Sequence, residues 1–106
     1  MTHSFETHIA NKVGINAAVI YQNIQFWCRK NQANKKNFHD GNWWTFNSVD
    51  AMLHLFPYLS KDQIRNALKK LEDAELIQSG NYNKSAYDRT KWYAVTESQI
   101  DLVKIL

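Results

Sequence analysis

Cysteine, proline and glycine are nearly missing from this chain of 106 residues, which has one Cys, one Pro and three Gly. The lone Cys28 excludes an internal disulfide framework and any zinc site built on several cysteines. So little Gly and Pro excludes a collagenous or low-complexity chain, and a hydrophobic fraction of 44% excludes a disordered one. No run approaches the ~18 apolar residues of a membrane span. The opening Met-Thr-His-Ser-Phe-Glu has no basic region leading into an apolar one, as a secretory signal requires. A cytoplasmic setting is therefore expected. His3, His8, His39 and His54 lack the spacing of a metal site, and no Gly-rich phosphate loop or nucleophile–base arrangement is visible. No enzymatic activity, cofactor or metal is expected.

What the chain does have is aromatic bulk and a mild positive charge. Four Trp, five Tyr and five Phe allow even a small core to bury much apolar area. Thirteen Lys and Arg against ten Asp and Glu leave a net charge of +3, which permits a polyanionic partner without demanding one. The length suits one domain and is too short for two independent cores.

Residues 4 to 12 suit a short first helix carrying Phe5, Ile9 and Val13, stopped by Gly14. Asn16 can cap a second, longer helix, in which Ala17, Ile20, Tyr21, Ile24, Trp27 and Cys28 recur at helical spacing. The polar, basic run from Arg29 to Asn37 reads as its end and a solvated loop. Asp40-Gly41 is a turn signal, followed by a strand over Trp43 to Phe46. Asn47 or Ser48 can cap a third helix with Val49, Met52, Leu53 and Phe56, ended at Pro57. Ser60-Lys61-Asp62-Gln63 is a capping box opening a fourth helix, which lines up Ile64, Ala67, Leu68, Leu71 and Ala74. Residues 76–79 and 90–95 read as strands around a polar tip rich in turn formers. Ile100, Leu102, Val103, Ile105 and Leu106 suggest a C-terminal helix.

This order predicts an α+β, mostly helical fold: a winged helix-turn-helix with a three-stranded sheet and a C-terminal helix. Residues 1–106 form a single domain, with a core over 1–96 and the last helix over 97–106.

Three segments carry a family resemblance. They are Phe38-His39-Asp40-Gly41-Asn42-Trp43-Trp44-Thr45-Phe46-Asn47-Ser48, then Phe56-Pro57-Tyr58-Leu59-Ser60 with Ile64 to Glu72, then Asn81 to Lys84 with Tyr87 to Tyr93. In order and spacing they resemble the N-terminal winged-helix domain of phage and plasmid replication proteins, the replisome-organiser type, distantly similar to DnaD-like proteins. The resemblance implies DNA binding. Such domains commonly have Gly after the recognition helix, where this chain has Glu75, so a strained residue or a different helix end is expected there.

With Ile64, Leu68 and Leu71 inward, the fourth helix turns Arg65, Asn66 and Lys69 outward, between Lys61 and Lys70. Arg and Asn read base edges and Lys contacts phosphate, against the plainer reading of a solvated helix face. Asn81, Asn83, Lys84, Arg89 and Lys91 suit a wing lying along a DNA backbone, although Asp88 and Arg89 can pair and Tyr82 and Tyr87 can pack across the hairpin. Arg29, Lys30, Lys35 and Lys36 form a further basic cluster, read mainly as solvated loop. Val19, Asn23 and Phe26 define a second stripe on the long helix, expected to pack against the C-terminal helix or a second copy in a homodimer. Trp43 and Trp44 must point oppositely, so one of them faces the core.

The leading expectation is a sequence-specific binder of double-stranded DNA, of phage or plasmid origin, in replication initiation or transcriptional regulation. The alternative is a winged-helix interaction module that binds a host replication or defence protein. Glu72, Asp73 and Glu75 beside the reading helix favour the alternative.

Overall fold

The long second helix takes the centre of the fold. The computed structural model describes residues 2–96, so the expected helix over 97–106 lies outside the described residues. Helix α1 spans Thr7–Val13 and α2 spans Ile15–Ala33. Gly14 does double duty between them, its N–H donating to the Ala10 carbonyl at 2.8 Å while its own carbonyl accepts from Ala18 at 3.0 Å. Its φ of 87° is open to glycine and strained for other residues. Gly14, rather than Asn16, thus stands at the start of α2, and the two helices follow one another without a loop.

Helix α2 buries Ala17, Ala18, Val19, Ile20, Tyr21, Ile24, Gln25 and Cys28. These residues cover more than one stripe because α1 and α4 (Lys61–Asp73) pack on α2, as do strands of the sheet. Val19 therefore belongs to the main core and does not form a separate outward stripe. Asn23 is half-buried and Phe26 is exposed, its ring edge-on to Trp27. The expected second stripe is thus divided between core and surface, and its proposed packing on the C-terminal helix falls outside the described residues.

A two-residue turn at Asp40 and Gly41, with φ of 51° and 79°, joins β1 (Phe38–His39) to β2 (Asn42–Trp43). Two positive φ values in succession suit a tight hairpin. Trp44 interrupts the expected strand, and β3 resumes at Thr45–Asn47. Trp44 is buried, while Trp43 is half-buried against Phe38, as alternation requires. Strands β4 (Ile77–Gly80) and β5 (Lys91–Val95) complete an antiparallel three-stranded sheet of order β3-β5-β4.

Helix α3 (Val49–Leu55) is capped by Ser48, whose hydroxyl accepts from the Ala51 N–H. A turn through Pro57 leads to α4, and Leu59 is buried beneath it. The capping box forms: Ser60 Oγ accepts from Gln63 N at 3.1 Å and Gln63 Oε1 accepts from Ser60 N at 2.9 Å. Ile64, Ala67, Leu68 and Leu71 face the core. Full burial of a residue such as Leu71 contributes ~1.5–3 kcal/mol. The architecture is α+β, with four helices and small antiparallel sheets among the described residues.

Candidate nucleic-acid interface

Because α4 rests its aliphatic side on α2, its polar side is solvent-facing. Lys61, Arg65, Asn66, Lys69 and Lys70 are all exposed. Three of the four cations have an acidic neighbour: Lys61 with Asp50 at 3.0 Å, Arg65 with Asp62 at 3.5 Å, and Lys69 with Asp73 at 3.6 Å. The Lys61 ammonium, by hydrogen bond and by charge, holds the Asp50 carboxyl below the usual carboxylate range. Such exposed pairs are worth only ~0–1 kcal/mol each, so a phosphate or base edge can displace them. Asn66 and Lys70 border a cleft at the α1–α2 junction, beside Gly14 and Asn16.

The segment between β4 and β5 is built differently from its expected form. Asn83 is a brace. Its Nδ2 donates to the carbonyls of Asp88 (3.0 Å) and Thr90 (2.8 Å), and its Oδ1 accepts from Trp92 Nε1 at 2.7 Å. That side chain is committed to holding the hairpin, which corrects its assignment as a DNA contact. Asn81 is exposed, and its Oδ1 accepts from Asn83 N in a local turn. Asp88 does not pair with Arg89; its carboxylate accepts from Thr90 N, which lowers its pKa. Lys84, Arg89 and Lys91 are exposed, with no ion-pair partner among the described residues. Arg89 and Lys91 share a cleft with Asn47, Ser48 and Val49 at the start of α3.

Tyr82 and Tyr87 do not pack together, since Tyr87 is 94% exposed. Tyr82 instead turns toward the β1–β2 hairpin. It stacks on His39 with ring centroids 4.4 Å apart, touches Trp44 and Trp92, and donates its hydroxyl to Asp40. Trp44 Nε1 donates to the His39 carbonyl at 2.8 Å. This aromatic clamp ties the root of the β4–β5 hairpin to a second hairpin some forty residues earlier in the chain. Nothing local in the sequence marks Tyr82 or His39 for that role.

At the other end of α3, His3 Nδ1 lies 2.8 Å from the Tyr58 hydroxyl and its ring sits tilted against Phe56, fastening the N-terminal segment to the α3–α4 turn. Cys28 is buried, donates weakly to the Tyr93 carbonyl, and has its pKa pushed up to about 11 by burial. Its thiol therefore stays protonated and unreactive at neutral pH. Among the described residues no cluster of His, Cys, Asp and Glu is arranged to hold a metal ion, and no helix is long and apolar enough to cross a membrane.

Comparison with protein-family models, with curated proteins and with solved structures finds no match to this chain.

Proposed function

We propose that this chain is a winged-helix protein that binds double-stranded DNA. Helix α4 enters the major groove and the β4–β5 hairpin lies along the backbone as the wing. The observation that carries the reading is one of position. A capped helix follows α3 through a short turn and turns Arg65, Asn66 and Lys69 outward, while the adjoining hairpin offers Lys84, Arg89 and Lys91 without acidic partners among the described residues. The hairpin shares one antiparallel sheet with the strand that precedes α3, in the order β3-β5-β4.

The electrostatic field is modest. Helix α4 has four cations against three acids, and residues 81–91 have three cations against one. One copy therefore binds weakly, which favours two copies on adjacent half-sites. A role in replication initiation or transcriptional regulation, in a phage or plasmid, agrees with the family resemblance.

Arg65→Ala is expected to cost ~1–3 kcal/mol at the preferred site and to relax base preference there. Lys84→Ala is expected to weaken all sequences alike and to lower the salt slope by about 0.9. Gel shifts over a sequence panel at several salt concentrations check both. Unchanged binding in both variants would overturn the reading.

The ion pairs along α4 favour a second reading, in which this helix docks on a protein. A partner retained at moderate salt, with DNA affinity too weak to measure, would select it.

A further inference from the structure

Among the described residues, strand β3 is the edge of its sheet, paired only with β5. Along its unpaired side runs a cleft of about 420 Å³, walled by Trp27 and Asn31 of α2, Phe46 and Asn47 of β3, and Ala51 and His54 of α3. That volume lies within the range of small-ligand sites. Of these six residues only Asn47 also borders the β4–β5 hairpin, where it shares a separate cleft with Arg89 and Lys91. Phe46 is 46% exposed although it touches Trp92, and Trp27 is half-buried. Two aromatic side chains thus border an open slot, with the carboxamide of Asn47 beside them.

The stretch that forms the α2 wall of the slot and the loop after it is cationic. From Gln25 to His39 the chain contains no Asp or Glu, yet it carries Lys30, Lys35 and Lys36, while Arg29 lines a different cleft beside Cys28 and Trp43. Lys30 holds its ammonium 4.9 Å from the Trp27 ring centroid. Lys36 is tied next to the slot by its N–H, which donates to the Asn31 carbonyl at 2.8 Å. Among the described residues, Asp50 is engaged with Lys61 and Asp40 with Tyr82.

We propose that this cleft binds an unpaired nucleotide segment. A base enters between Trp27 and Phe46, Asn47 meets its polar edge, and Lys30, Lys35 and Lys36 follow the phosphates. Stacking on aromatic side chains within a cationic groove is how single strands are held without a strict sequence requirement. A peptide is the weaker occupant. It would gain main-chain hydrogen bonds over only the three residues of β3, and it would leave the surrounding cations without a counterpart. The site stands apart from duplex binding by α4.

The test uses the whole chain and labelled oligothymidylate and oligouridylate of about eight nucleotides, read by fluorescence anisotropy at about 50 mM salt. Phe46→Ser is expected to weaken binding roughly five- to a hundred-fold, the range of one lost stacking contact. His54→Glu, at an exposed position, is expected to weaken it through charge and serves if Phe46→Ser lowers the melting temperature through its contact with Trp92. Lys84→Ala should leave single-strand affinity unchanged whatever it does to duplex, so this proposal and the duplex reading fail separately. Tighter binding of the thymidylate assigns the site to DNA, and tighter binding of the uridylate assigns it to RNA. The proposal is overturned if neither oligomer saturates by about 100 μM. It is equally overturned if both cleft variants bind as the parent does, or if Lys84→Ala is the variant that loses the single strand.

Discussion

Glu75 adopts φ 59° just past α4, the left-handed helix-ending position that favours glycine. The strain expected from its identity is present, and the chain tolerates it because Leu76 N bonds back to the Leu71 carbonyl and Thr96 Oγ1 donates to the Glu75 carbonyl. One residue's chemistry could reveal this, since helix termination is local. Cys28 and Tyr93 are another residue-scale matter. Burial pushes the thiol up to about 11, and burial followed by the charge of Glu72 pushes the Tyr93 phenol up to about 12. Both groups then keep their protons longer in the folded state than in the unfolded state. The stability they contribute is complete below pH ~9 and is lost as pH rises toward those values. Melting temperature is expected to fall through that alkaline window, with a smaller fall in Cys28→Ala below about pH 11.

At the scale of elements, what the sequence revealed depended on how local the cause was. The capping box at Ser60, the Ser48 cap and the Asp40-Gly41 turn each draw on two to four neighbouring residues, and all three formed. The start of α2 was misjudged because Gly14 serves two helices at once. The role of Val19 was misjudged because periodicity marks an apolar face without saying how many neighbours surround the helix. Asn83 was misjudged for a further reason: a carboxamide in a polar loop looks alike whether it awaits a ligand or braces an indole nine residues on. Removing the brace is expected to loosen the hairpin. Asn83→Ala should cost ~1–3 kcal/mol, since it leaves partners unsatisfied, and should speed solvent exchange of the Trp92 indole proton in NMR spectra.

Across the whole molecule, outward residues on α4 were readable because one buried stripe determines the opposite face. The ion pairs that accompany them were only partly readable: Asp62 and Asp73 lie within one turn of their partners, whereas Asp50 reaches Lys61 from another helix. The clamp of His39, Trp44, Tyr82 and Trp92 was hidden altogether, because it joins segments that are distant in the chain.

That clamp gives the β4–β5 hairpin an anchored base, with the residues from Lys84 to Tyr87 outside the aromatic contacts. Trypsin should cut after Lys84 readily, because this residue is exposed beyond the aromatic contacts. The two fragments are expected to stay associated and to melt near the temperature of the intact protein, since strand pairing from Ile77↔Val95 to Gly80↔Trp92 survives the cut. Dissociation on nicking would show that the tip, and not the stacked rings, keeps the strands together. A hairpin with so firm a footing can shift at its fingertip without disturbing the helix beside it.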